Sequence, residues 1–258
     1  MIPQYFGEGD HRLFGVYHPA SAASSARHGV VICPSVFQEY MLTHWALRRL
    51  AQQLSRIGVP VLRFDYYGTG DSCGETGEGT PARWARDIHQ AAGQLSALSH
   101  VERVSLVGHR LGAGLAWLAT EHLELKARHL VLWDPVASGS RFMQEVQDAD
   151  RLEATQLLGV KLSRGTPTQL GGYATPPQQR EAFAAMSLLD AEPPKATRVH
   201  LFASDHEGDI PALRERLSQS VKRFSFVEVN EAAEPGGGAL LSSRMIQSIV
   251  STLAPEAS

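Results

Sequence analysis

Short apolar runs recur along the chain, and between them the apolar positions switch to a helical spacing. The runs are His28 to Cys33, Val59 to Phe64, Arg103 to Val107, Leu130 to Trp133, Arg198 to Phe202 and Phe224 to Val229. Their near-continuous Val, Leu and Ile content, without strict alternation, predicts parallel strands covered on both faces. Gln4 to Phe6 and Arg12 to His18 read as antiparallel edge strands, joined to the rest through a small surface loop at 21–25. A helix is predicted over Thr43 to Ile57, with Trp45, Leu47, Leu50, Leu54 and Ile57 on one stripe and Gly58 as its C-terminal cap. Thr80-Pro81 opens a second, with Thr as N-cap and Pro in the first helical position. A third follows Gly108 through Leu111, Leu115 and Leu118, and a last runs from Ser242 to Leu253. Strands alternating with helices predict an α/β fold with a mostly parallel central sheet.

One connection breaks the rhythm. Some sixty residues separate Trp133 from Arg198, far more than a βα loop needs. Phe142, Val146, Leu152, Leu157 and Leu158 are spaced like helical faces, and Gly165 to Pro177 is rich in turn formers. The expected division is a core of residues 1–135 and 196–258 with a small helical lid, 136–195, inserted over the sheet.

Composition narrows the function. The 258 residues carry 24 Lys and Arg against 27 Asp and Glu, a net charge of −3. That balance lacks the basic face a nucleic-acid binder needs. The longest apolar run, near Leu111 to Ala119, falls short of the roughly 20 residues of a membrane-spanning helix. Met1-Ile2-Pro3-Gln4-Tyr5 is not the basic-then-apolar start of a secretion signal. Two cysteines, Cys33 and Cys73, make no disulfide framework. Together these predict a cytoplasmic protein. His-Glu-x-x-His, Cys-x-x-Cys and the phosphate-binding Gly-x-x-x-x-Gly-Lys motif are absent, so neither a metal nor a cofactor is expected.

Ligands bind at the carboxyl ends of parallel strands, and after the third central run stands Gly108-His109-Arg110-Leu111-Gly112. Glycines two before and two after a strained central residue are the frame of a nucleophile elbow, a sharp strand-to-helix turn that lifts one side chain into a cleft. With Asp65-Tyr-Tyr-Gly-Thr-Gly-Asp-Ser72 after the second central strand, the chain resembles the α/β-hydrolase superfamily, in its serine-aminopeptidase-like group. Gln38-Glu39-Tyr40, the Gly-x-Arg-Leu-Gly-Ala elbow at 108–113 and Leu132-Trp-Asp-Pro-Val-Ala-Ser-Gly139 are similar to the "hydrolase 2" proteins associated with exosortase A systems. That resemblance implies an α/β-hydrolase fold, an Arg at the elbow as the habit of the branch, and an accessory place beside polysaccharide export or natural-product synthesis.

The chemistry does not follow the fold. The superfamily's nucleophile is a Ser activated by a His that a carboxylate orients. An Arg guanidinium stays protonated and has no lone pair free to attack. The acid position falls after Ala203, where Asp205, Glu207 or Asp209 could serve, but no histidine follows His206. The stretch Asn230 to Gly238, where the base is expected, offers none. Both the nucleophile and the base are therefore missing.

Arg110 at a helix N-terminus favours anions instead, and a guanidinium taken from water needs a partner. Glu39, Asp134 or an acid-loop carboxylate could close the pocket as an internal ion pair. A ligand carboxylate or phosphate could be gripped there, with His109, Leu111, Cys33, Ser35 and Gln38 around it. Cys33 or Ser35 as a displaced nucleophile would give an active esterase, thioesterase or acyltransferase. A filled cleft would give an interaction protein in a biosynthetic assembly. Ser72 reads as a turn residue, and His109 as a side chain turned into packing.

Overall fold

A computed structural model describes residues 1–21, 28–122, 125–158, 169–170, 172–204, 208–229 and 243–255. Its ten strands are β1 (Ile2–Phe6), β2 (Leu13–His18), β3 (His28–Cys33), β4 (Val61–Phe64), β5 (Arg103–His109), β6 (Ala127–Trp133), β7 (Gln169–Leu170), β8 (Tyr173–Ala174), β9 (Ala196–Ala203) and β10 (Phe224–Glu228). The helices are α1 (Gln38–Arg56), α2 (Pro81–Ser99), α3 (Leu111–His122), α4 (Gly139–Leu158), α5 (Pro177–Ala184), α6 (Ile210–Ser220) and α7 (Ser243–Leu253). Eight strands form one sheet in the order β1-β2-β4-β3-β5-β6-β9-β10, and β7 and β8 form a separate hairpin. β1 and β2 pair antiparallel, β2 meets β4 antiparallel, and every pairing from β4 to β10 is parallel.

The apolar runs become the sheet because both of its faces are covered. Val30, Ile32, Val107, Val131 and Phe202 meet Leu47, Leu50, Leu54, Ile246 and Ile249 of α1 and α7. Val31, Leu62, Leu106, Leu130 and Leu201 meet Trp84, Ile88, Leu95, Leu115, Leu213 and Leu217 of α2, α3 and α6. α2 starts as its sequence predicts: the Thr80 hydroxyl accepts from Arg83 N at 3.2 Å, and Pro81 occupies the first turn. α1 ends at Gly58, whose φ of +87° lets the amide turn back to Ser55 O.

Two expectations for α1 are corrected. The helix begins at Gln38, not Thr43, after a Phe37 held at φ +54°. The buried stripe is Thr43, Leu47, Leu50, Ala51 and Leu54, whereas Trp45 is 68% and Ile57 38% exposed. Trp45 lies two positions from Leu47, about 200° around the helix, and so cannot share its face.

The insert holds α4, the hairpin and α5. Its Phe142, Met143, Leu170, Phe183 and Leu188 join the core on the α2/α3 side. Phe183 packs against Trp84 at 5.1 Å and Phe37 at 5.9 Å between ring centroids, which ties α5 to α2 and the start of α1. Leu152, expected on a buried face, is exposed. The side chains of Leu157 and Leu158, and residues 165–168 and 171 of the turn-rich stretch, lie outside those described. Among the described residues no helix is long and apolar enough to cross a membrane.

A polar row crosses the sheet near the amino ends of its parallel strands. His28 Nδ1 meets Ser105 Oγ at 2.9 Å, His129 Nδ1 meets His200 Nε2 at 2.9 Å, and His200 Nδ1 meets Ser225 Oγ at 2.7 Å. Burial, reinforced by neighbouring positive charge, pushes His129 down to about 3 and His200 to about 4. The same two effects push His18 to about 4 and His109 to about 3. These rings are neutral in the fold, while the unfolded chain takes up protons near 6.5. Their stabilising contribution is thus complete above pH 6.5 and is lost as the pH falls toward 4. Urea midpoints measured from pH 8 to 4 are expected to hold to about 6.5 and then decline, each histidine adding about 1 kcal/mol per pH unit to the slope. His109→Phe, which removes one such group, is expected to make the decline shallower; an unchanged slope would refute the assignment.

Candidate functional site

The elbow forms as its glycines dictate. A Cβ on Gly108 would lie 2.4 Å from Ala113 Cα, and one on Gly112 would lie 2.2 Å from Pro34 O. Only glycine admits so close an approach of β5, α3 and the β3 loop. Between them Arg110 sits at φ +52°, a left-handed conformation that a non-glycine residue rarely adopts. Its amide donates to Trp133 O at 3.0 Å, and its carbonyl accepts from Ala113 N and Val136 N. The turn is thereby fastened to the end of β6 and the loop beyond.

The Arg110 side chain, 32% exposed, donates from Nε to Glu39 Oε1 at 2.8 Å. Its Nη2 lies 4.0 Å from Glu145 Oε2. Glu145 Oε1 accepts from Arg141 Nε at 3.1 Å, and Arg141 Nη1 stands 3.6 Å from Asp209 Oδ1. A chain of alternating charge therefore links α1, the elbow, α4 and the start of α6. Burial works against the Arg110 charge, but Glu39 with its hydrogen bond, then Asp134 and Glu145, outweigh it and raise the guanidinium pKa. Glu39 is raised because burial exceeds the pull of Arg110. Its Oε2 is buried without a hydrogen-bond partner among the described residues.

The other expected site residues separate into groups. Asp134, at φ +42°, accepts from Ser204 N at 2.6 Å and Ser204 Oγ at 2.7 Å, bracing the ends of β6 and β9. Cys33 is fully buried, and burial pushes its thiol far up, away from thiolate formation. Ser35 is also fully buried, its hydroxyl paired with Thr43 Oγ1 at 2.7 Å. Leu111 is core, and Gln38 is exposed at the start of α1. His109 is buried on the α1/α7 face against Trp133, at 4.8 Å between ring centroids, with neither ring nitrogen hydrogen-bonded among the described residues. Asp209 borders the site through Arg141, whereas Asp205 and Glu207 lie outside the described residues. Ser72 stitches its loop, donating to Asp65 O at 2.6 Å and accepting from Phe14 N at 2.8 Å.

Arg141 and Glu145 escaped the sequence reading. Their i,i+4 spacing marks a helix-surface ion pair, but nothing local says that this face of α4 meets the elbow.

A guanidinium on an intact elbow can orient and neutralise an anion; it cannot form an acyl intermediate. Structural comparison finds the same fold in other proteins. Est1E from Butyrivibrio proteoclasticus, solved with ferulic acid bound, superposes with a TM-score of 0.68 at 16% identity over 97% of this chain and 96% of that one. The proline iminopeptidase of Mycobacterium smegmatis gives 0.65 at 14% identity over 98% and 97%. The Paleococcus ferrophilus monoacylglycerol lipase gives 0.63 at 18% identity over 94% and 98%. Comparison with curated proteins finds no match. The family model described as serine aminopeptidase, S33, matches residues 28–203, from β3 through the elbow to the end of β9. The chain belongs to the serine aminopeptidase (S33) family and has the α/β-hydrolase fold.

Proposed function

We propose that this protein is a non-catalytic member of its hydrolase family, a pseudo-hydrolase whose elbow cleft binds an anionic or acyl-bearing ligand through Arg110. One observation carries the reading: the position that presents a nucleophile instead presents a guanidinium whose terminal nitrogens make no hydrogen bond within the described residues. One of those nitrogens stands 4.0 Å from Glu145, and a ligand carboxylate or phosphate would compete with that weak pair for the guanidinium at the amino end of α3. The lack of any histidine beyond His206 supports the same reading, since no base stands in the usual place to activate even a restored serine. The insert, with α4 reaching Arg110 through Glu145, acts as the lid. The resemblance to exosortase-associated proteins supports an accessory role, with a small molecule or protein partner of a cytoplasmic biosynthetic or polysaccharide-export system. Cys33 and Ser35, buried and occupied in packing, lend no support to a displaced nucleophile.

Several measurements test this. A fluorophosphonate probe is expected to leave the protein unlabelled, and Arg110→Ser is expected to create no esterase. Turnover of a simple acyl ester that tracks protein mass and disappears in Cys33→Ala or Ser35→Ala would overturn the proposal. Native mass spectrometry of protein taken from its own cells should show a retained anion that Arg110→Gln loses. A double-mutant cycle on Glu39→Gln and Arg110→Gln is expected to give a coupling of about 1 kcal/mol, falling with salt, as for a pair that can open to a ligand. A coupling of several kcal/mol, insensitive to salt, would mark a sealed cleft.

A further inference from the structure

A cavity lies between the first turns of α1 and the outer strands β2 and β4, with a volume of about 90 Å³. Its apolar lining includes Phe14, Val16, Ile32, Pro34, Leu47 and Phe64. One cation and two carboxylates share its wall: Arg63 from β4, with Asp65 and Asp71 from the loop that follows.

Neither Arg63 nor Asp71 makes an ion pair among the described residues, although Asp65 acts on Arg63 through space. Among the described residues Arg63 makes one long hydrogen bond, Nε to His18 Nε2 at 3.3 Å, and no ion pair. His18 is a neutral acceptor, since burial, with Arg63 next in effect, holds it near 4. The Asp65 carboxylate on the same wall spends its hydrogen bonds elsewhere. Its Oδ1 accepts from the Tyr40 hydroxyl at 2.6 Å and its Oδ2 from Asp71 N at 3.1 Å. His44 on the same wall is shifted below its ordinary value, first by burial and then by Arg63. Asp71 is exposed, and its carboxylate has no ion pair within the described residues.

An isolated anion here would satisfy Arg63 but face Asp65 and Asp71; an isolated cation would meet the converse. We propose that this cavity binds a small zwitterion with an apolar body, an aliphatic amino acid, its carboxylate on the Arg63 fork and its ammonium toward Asp71. The guanidinium supplies two parallel donors for the carboxylate, and the apolar surface takes the side chain. This site is independent of the elbow reading and survives its failure.

The test is calorimetric titration of the full chain with L-valine, isobutyrate and isobutylamine. Valine is expected to bind, and each single-charge analogue is expected to bind at least about tenfold more weakly, the loss of one charge-assisted contact. Arg63→Gln and Asp71→Asn are each expected to weaken valine by a similar factor, and Arg110→Gln to leave it unchanged. Asp71 is exposed, so Asp71→Asn reports on the site even where Arg63→Gln disturbs folding. No valine binding, equal affinity for isobutyrate, or a loss in Arg110→Gln with none in Asp71→Asn would each overturn the proposal.

Discussion

The close approach of β5, α3 and the β3 loop at Gly108 and Gly112 is the constraint on which the site depends. Neither position has room for a Cβ, so the chain must turn within one residue, and that residue takes a positive φ. A side chain there is lifted off the sheet whatever its chemistry. The fold thus preserves the delivery of residue 110 to the cleft, and the identity of that residue decides what is delivered. Arginine brings a permanent charge and a long reach, where serine would bring a hydroxyl close to the backbone.

The reach has structural consequences. Arg110 meets Glu39 in the first turn of α1 and approaches Glu145 on α4, which also meets Arg141, itself near Asp209. The outer contacts of Arg141 with Glu145 and Asp209 are largely solvent-accessible, so each stabilises little. The firm attachment of the insert is apolar instead, through Phe183 against Trp84 and Phe37. Buried packing anchors the insert, while a weaker set of charges lies across the cleft. That division lets the charged contacts rearrange without loosening the core.

Much of this was legible residue by residue. His28–Cys33 is a strand with the boundaries its apolar run suggests, and Thr80-Pro81 opens α2 through a side-chain cap. Strong local signals of this kind rest on propensity and capping, which depend on near neighbours. The start of α1 was not legible, because Gln38 to Leu42 carry no cap and Phe37 is held by rings from α2, β8 and α5. Trp45 misled for a related reason: a large apolar residue suggests burial, but its angle around the helix turns it to solvent.

From the sequence alone come a cation at the elbow and the lack of a histidine beyond His206, since both are facts of residue identity. Glu39, Asp134 and the acid-loop carboxylates were equal candidates to meet that cation. Tertiary structure chose Glu39, 71 residues away, and turned Asp134 toward Ser204. It likewise brought Arg63 and Asp71 to one cavity without pairing them. Charge is a property of a residue; distance between charges belongs to the packed chain, because separations of a few ångströms are set by how helices lie on the sheet.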